Sequence, residues 1–263
     1  MGNAGDRMAA PPLVSVVVPT YERKRLLQET LDAILGQTYP NLEVIVVDNV
    51  SEDGTETFVK DLADPRIRYV RNANHGIIAA NRNLGIRLAR GKYVALCDDD
   101  DLWLPTKVER QAAVMEARPA VGLSYCNAVV FNETGVIDRS LVKWRVFRGH
   151  YGRLVYRNFI PSSSVMLRKE VVDAHGGFDE SGDLAPYEDY ELWLRVARAH
   201  ELAYVDEPLL RYRVHGSNWA GRYGNRQRIV IKVLRSVQRK AGSRDLRISI
   251  AILLRRLKAA LSP

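Results

Sequence analysis

The segment Ala95 to Trp103 reads ALCDDDDLW and sets four carboxylates directly behind an apolar run. Adjacent like charges resist burial, so such a run either lies hydrated in a turn or faces a cation. A hard divalent ion, Mn2+ or Mg2+, takes carboxylate oxygens and keeps positions open for substrate phosphates. Asp98, Asp99 and Asp100 on a short stem suit that chemistry, while Asp101 has a second reading as N-cap of the helix expected after Trp103. Another acidic pair, Glu188-Asp189, opens an expected helix at Tyr187 to His200 whose apolar face carries Leu192, Trp193 and Val196. The pair either complements the helix dipole or supplies, through Asp189, a general base. His215 stands between a strand-like Leu209 to Val214 and the lid-like Gly216-Ser217-Asn218-Trp219. There it reads either as a group that reaches a metal or diphosphate, or as a surface histidine. His75, His150, His175 and His200 lack such a context.

These residues need a frame. Leu13 to Val18 and Leu42 to Val47 are β-branched runs flanking Leu27, Leu31, Ile34 and Leu35 at helical spacing, which is a βαβ unit with parallel strands. A second helix is expected from Asp53 to Glu56 onward, then a strand at Ile67 to Val70. A third helix, Ile77 to Arg90, is expected to turn Ala80, Leu84 and Leu88 inward before the strand Tyr93 to Cys97. Ligands of such sheets bind beyond the carboxyl ends of the strands. Those ends carry Pro19-Thr20-Tyr21-Glu22, Asp48-Asn49 and the four aspartates. Neither GxGxxG nor GxxxxGK[ST] is present, so a nucleotide bound here is held by side chains and metal. Beyond Trp103 the pattern predicts a helix at Pro105 to Glu116 and strands at Val121 to Phe131 and Ser163 to Leu167.

The net charge of +8 is unevenly placed. From Arg222 onward there are 12 Lys+Arg and one acid, Asp245, whereas the preceding 221 residues hold 27 bases and 30 acids. A mildly acidic body argues against nucleic acid as the partner. No run approaches the length of a membrane span, and MGNAGDRMAAPP has no leader character, so the chain reads as cytoplasmic. Cys97 and Cys126 read as free thiols. The tail sets Ile229, Val233, Val237 and then Leu246, Ile250, Leu253, Leu254, Leu257 and Leu261 at helical spacing among basic residues. It is either an interfacial helix drawn to anionic lipid at the inner face of the membrane or a helix pair packed on the domain. The stretch 143–159, KWRVFRGHYGRLVYRNF, interleaves bases and aromatics as an RNA-binding surface, a phosphate-lined acceptor groove or ordinary core aromatics on an amphipathic element would.

Taken in order, several motifs carry a resemblance. They are Pro19-Thr20-Tyr21, Asp48-Asn49-x-Ser51-x-Asp53-Gly54-Thr55, Asn74-x-Gly76, Arg82-Asn83, Gly91-Lys92-Tyr93 and Asp98-x-Asp100-Asp101. After these come Gly176-Gly177-Phe178-Asp179-Glu180, Glu188-Asp189-Tyr190-Glu191-Leu192-Trp193-Leu194-Arg195 and Tyr212-Arg213-x-His215. Over about residues 13 to 220 the chain resembles the family 2 glycosyltransferases. The resemblance implies an α/β fold of the GT-A type, with a Rossmann-like, mostly parallel central sheet flanked by helices and, here, C-terminal basic helices. It also implies a nucleotide-sugar donor, a divalent metal (Mn2+ or Mg2+), and transfer with inversion to a glycan or lipid-linked acceptor in surface polysaccharide or glycolipid assembly.

Carried onto this sequence, Asp98-x-Asp100 is the DXD motif, with Asp100 on the metal and Asp98 or Asp99 on ribose. Pro19, Thr20, Tyr21 and Glu22 then border base and ribose, Asp48 or Asn49 reads the base edge, Arg82 belongs to the donor site, His215 reaches the metal, and Asp189 is the base. Asn49 stands where UDP users of the family commonly have a second aspartate. UDP is the expected nucleotide, with dTDP and GDP as alternatives. The expected organisation is a disordered lead at 1–12, a donor half at 13–103, an acceptor and catalytic half at 104–221, and a basic helical tail at 222–263. A metal-dependent nucleotidyltransferase and a noncatalytic nucleic-acid-binding protein are the competing readings.

Overall fold

The computed structural model describes residues 10–142, 149–215 and 226–261, with side chains of the last helix to Leu257. The lead at 1–9, Lys143 to Arg148 of the basic stretch and the Gly216 to Trp219 loop lie outside the described residues.

The first half alternates β1 (Val14–Thr20), α1 (Lys24–Leu35), β2 (Leu42–Asp48), α2 (Thr55–Asp61), β3 (Ile67–Arg71), α3 (Ile78–Leu88) and β4 (Tyr93–Leu96). The second half begins with β5 (Leu102–Trp103), α4 (Lys107–Ala117), β6 (Val121–Asn132), β7 (Gly135–Asp138) and α5 (His150–Leu154). After a 3-10 turn at Ser162–Ser164 come β8 (Val165–Arg168), α6 (Lys169–Ala174), α7 (Glu188–Ala199), β9 (Glu201–Arg213), α8 (Arg226–Lys240) and α9 (Leu246–Leu261). One sheet runs β3-β2-β1-β4-β8-β6-β9-β5, with β7 paired to β6. β1 to β4 are mutually parallel. β8 is antiparallel to β4 and to β6, β6 and β9 run parallel, and β5 is antiparallel to β9.

Every residue of β1 and β2 is buried, as strands covered on both faces must be. Val16, Leu27, Leu31, Val108 and Met115 fill one side of the sheet. Val17, Ile86, Val94, Trp193 and Val233 fill the other. Helix α3 corrects the expectation for its inner face. The residues it buries are Ala79, Asn81, Arg82, Asn83, Gly85 and Ile86, and Ala80, Leu84 and Leu88 are only partly covered. The polar side turns inward because it is bonded there: Asn81 donates to Val47 O at 3.1 Å, and Asn83 donates to Phe178 O at 2.9 Å. Gly85 lets this helix approach the sheet closely, since a Cβ there would lie 2.3 Å from Val17 Cγ1.

β9 is longer than the expected Leu209 to Val214 and is bulged against β6. Cys126 pairs with Val205, Asn127 with Pro208 and Ala128 with Leu210, so Asp206, Glu207 and Leu209 have no opposite number. Pro208, which has no N–H to give a ladder, falls at the bulge. The bulge carries the strand's end across to the acidic turn.

The basic tail divides. α8 packs Val230, Val233, Leu234 and Val237 into the core, and its Lys240 Nζ lies 3.1 Å from Glu191 of α7. α9 buries Ile248 and Ala251 while Leu246, Ile250, Leu253, Leu254 and Leu257 stay exposed. Among the described residues no helix is long and apolar enough to cross a membrane. Cys97 and Cys126 are buried free thiols, as expected.

Candidate active site

The turn after β4 is held from three directions, which explains how four successive carboxylates survive in the interior. Asp98 takes a bond from Arg82 Nη2 at 2.7 Å and donates its backbone N–H to Ser163 Oγ at 3.0 Å. Asp99, 5% exposed, accepts from Thr20 Oγ1 at 2.8 Å and Arg23 Nη1 at 3.0 Å. Asp100 Oδ2 lies 2.9 Å from Arg23 Nη1 and 2.9 Å from His215 Nε2. Burial, with Asp100 beside it, pushes the Asp99 carboxyl up to about 7 against the pull of Arg23.

Asp101 does not start a helix. It accepts the backbone N–H of Arg213 at 2.8 Å and precedes β5, and α4 begins only at Lys107. Burial and the charges of Asp100 and Asp98 raise its carboxyl well above the usual range, so the interior favours its neutral form. Arg213 also donates to Asp100 O at 2.8 Å and to Glu29 at 2.6 Å, fastening the end of β9 to the turn.

Across the cavity, α7 begins with its acidic pair. Asp189 Oδ2 accepts from Ser162 Oγ at 3.2 Å, and Oδ1 accepts the N–H of Tyr190 at 2.5 Å. Burial first and Glu188 second push its carboxyl above the ordinary range, opposed by Arg82. Arg82 Nη1 meets Glu188 Oε1 at 2.7 Å, so one guanidinium joins the acidic turn to the helix start. Its burial works against its charge, but Asp98 and Glu188 outweigh that and raise its pKa further. Arg82 Nε and Glu188 Oε2 are buried with no hydrogen-bond partner among the described residues.

A cavity of about 930 Å³ brings together Pro19, Arg82, Asp98, Asp99, Asp100 and Asp189 of the expected site. Thr20 stands behind it, holding Asp99. Tyr21 is 54% exposed, Glu22 accepts from the N–H of Glu52 at 2.7 Å, and neither lines this cavity. Asp48 is fully buried, with Ser51 N–H and Oγ and Tyr69 Oη bonded to its carboxylate, while Asn49 Oδ1 accepts from Asn74 N–H at 2.9 Å. These two therefore brace the loops at the ends of β2 and β3.

Sequence reasoning passed over Arg23 and Glu188 as working residues. Arg23 was visible as a base just beyond β1, and Glu188 was read as a dipole partner. Ser162 and Ser163 carried no signal, since a serine pair bonded to Asp189 and Asp98 is defined only by the fold. Leu141, Val142, Phe159, Ile160 and Pro161 also line the cavity, together with the polar Asp138, Arg157 and Asn158.

The donor set fits a divalent ion. A carboxylate oxygen and an imidazole nitrogen converge at 2.9 Å, and ions that keep open positions complete such a partial set with water and phosphate. Among the described residues no three His, Cys, Asp or Glu assemble to hold an ion alone.

Residues 15–176 match the model of the family described as Glycosyl transferase family 2. The chain is 32% identical over 214 residues to the Escherichia coli UDP-Glc:alpha-D-GlcNAc-diphosphoundecaprenol beta-1,3-glucosyltransferase WfaP, covering 78% of this chain and 79% of that one. It is 28% identical over 235 residues to an uncharacterized glycosyltransferase of Haemophilus influenzae, covering 85% and 72%. Its fold superposes with a TM-score of 0.72 on Staphylococcus aureus TarS 1-349 in complex with UDP-GlcNAc, at 20% identity over 93% of this chain and 72% of that one. It superposes equally, at 0.72, on the mannosyltransferase PcManGT of Pyrobaculum calidifontis in complex with GDP-Man and Mn2+, at 22% identity over 97% and 71%. The fold is GT-A, as the sequence motifs implied.

Proposed function

Starting from the fact that this chain belongs to glycosyl transferase family 2 and is an enzyme that uses nucleotide sugars, we propose that it transfers a sugar from a UDP-sugar, with inversion and divalent-metal assistance, to a lipid-linked diphosphosugar. The observation that carries this reading is that Asp189 and the Asp98-to-Asp100 turn line one cavity, with Arg82 bonded both to Asp98 and to Glu188, the neighbour of Asp189.

Asp100 and His215 would hold the ion, which as a Lewis acid stabilises charge developing on the departing diphosphate. Arg23, on Asp99 and Asp100, adds positive charge on the same side. The nucleotide lies over Pro19, with Thr20 behind it holding Asp99; Asp98 or Asp99 is on ribose, and the loops anchored by Asp48 and Asn49 are at the base. Asp189, oriented by Ser162, accepts the proton of the incoming hydroxyl from the face opposite the leaving group. A carboxyl raised by burial is a stronger base than an exposed one and works nearer neutral pH.

The acceptor class is supported by the cavity's lining, which includes the apolar Leu141, Val142, Phe159, Ile160 and Pro161 together with Arg157. A diphosphate attached to an aliphatic chain matches both features. WfaP and a second E. coli relative, WfgD, 26% identical over 194 residues, are named for a diphosphoundecaprenol acceptor. Neither competing reading has an observation in its favour once the family is known.

The test is release of nucleoside diphosphate from a panel of UDP-, GDP- and dTDP-sugars with Mn2+ or Mg2+, with and without a lipid-diphosphate-linked sugar. Acceptor-stimulated release from a UDP-sugar is the expected result. Release from none of the panel with either metal would overturn the proposal.

A further inference from the structure

We infer that the outer face of α9 is a docking surface for an anionic lipid headgroup layer. The helix has two apolar faces. Ile248 and Ala251 are in the core cluster with Val230, Val233, Leu234 and Val237 of α8. On the other side, Leu246, Ile250, Leu253, Leu254 and Leu257 form a single stripe at helical spacing, and each is 41% to 75% exposed. A helix that only closes the domain has no need of the second stripe.

The charges around the stripe select its occupant. At 3.6 residues per turn, the exposed Arg247 and Arg256 fall on opposite flanks of the stripe, and Arg244 precedes it. The tail's single acid is already committed. Asp245 Oδ1 caps α9 through the N–H of Arg247 at 2.8 Å, and Oδ2 accepts from Tyr151 Oη at 2.6 Å. A second copy docking through the same face would set these arginines against their own counterparts, a like-charge contact that disfavours association. An anionic lipid surface meets the apolar stripe with acyl chains and the flanking guanidinium groups with phosphates.

The placement links this surface to the cavity. Arg255 donates to Tyr156 O at 2.6 Å, and Tyr151 is bonded to Asp245, so α9 clasps the segment that continues as Arg157 to Ser162, part of the cavity wall. The inference deepens the lipid-linked acceptor reading, but it is read out by vesicle binding, which needs no turnover.

The experiment floats the full chain with vesicles of phosphatidylcholine alone and of phosphatidylcholine with phosphatidylglycerol, at low and high salt. Binding to the anionic vesicles is expected to exceed binding to neutral ones by about tenfold or more and to fall with salt. L253E/L254E is expected to lose that binding by about tenfold or more while keeping its circular dichroism and its turnover of a water-soluble acceptor. R247E/R256E, which leaves the stripe intact, is expected to lose the preference for anionic vesicles. Equal flotation of wild type and both variants would overturn the inference. So would a wild-type dimer in light scattering that L253E/L254E dissociates, with no flotation of either, since the occupant is then a second copy.

Discussion

His215 Nε2 lies 2.9 Å from Asp100 Oδ2, although 115 residues separate them. The contact joins the residues just beyond β9 to the turn beyond β4, and it defines the pair expected to share a cation. D100N is expected to weaken metal-dependent binding of nucleoside diphosphate by at least about tenfold, or 1.4 kcal/mol. H215A is expected to raise the metal concentration needed for half-maximal activity by a similar factor. Titration calorimetry and metal titrations of turnover check both, and unchanged midpoints would remove the pair from the metal site.

Asp189→Asn separates chemistry from binding. If Asp189 is the proposed base, its loss is expected to lower kcat by about 10²- to 10⁴-fold, with donor affinity changed little. A variant with wild-type kcat would refute the assignment.

The same substitution has a stability signature. The Asp189 carboxyl is raised in the folded protein, first by burial and then by Glu188. Folding therefore favours its protonated form. That contribution is complete below the unfolded value, about 3.9, and is lost as pH rises through the folded value. Tm of D189N relative to wild type is thus expected to rise between about pH 4 and pH 7 and to level off above that. A flat difference across that range would contradict the buried, proton-retaining site described above.

Arg82→Ala leaves Glu188 and Asp98 without their shared cation. Removing one partner of a buried ion pair costs about 3–5 kcal/mol, and urea denaturation is the measurement. R82K keeps a charge but cannot fork to both carboxylates, so it is expected to recover most of the stability and less of kcat. Full recovery of both would show that charge alone is what the site requires.

Gly85→Ala tests how α3 is seated. A methyl 2.3 Å from Val17 Cγ1 forces helix and sheet apart and is expected to cost about 1–3 kcal/mol by denaturant melts. The double variant G85A/V17A is expected to regain part of that loss.

Where sequence patterns matched the structure, a strong local rule was at work. β1 and β2 were legible because parallel strands covered on both faces read as unbroken β-branched runs. Pro19, Asp98, Asp99, Asp100 and Asp189 were legible as cavity residues because each sits at a strand end or a helix start. α3 was misread because amphipathic periodicity assumes an apolar inner face, and this one turns Asn81, Arg82 and Asn83 inward on long-range bonds. Asp101 was misread because capping is a local rule, and its partner is the N–H of Arg213, 112 residues away. Arg23 and Ser162 acquire their roles from partners 76 and 27 residues distant, which no spacing rule connects.

The bulge in β9 sets how this protein tolerates length changes. Asp206, Glu207 and Leu209 have no opposite number on β6, and beyond them Leu210 to Arg213 pair in step with Ala128 to Phe131. Side chains alternate along a strand, so a slip of one residue exchanges its two faces. Deleting one residue of the bulge, if the pairing before it holds, turns the strand's end over and carries Arg213 away from Glu29 and His215 away from Asp100. Removing two preserves the facing. Viable descendants of this chain are therefore expected to differ here by even numbers of residues, a parity rule written into a strand whose far end holds the acidic turn through Arg213.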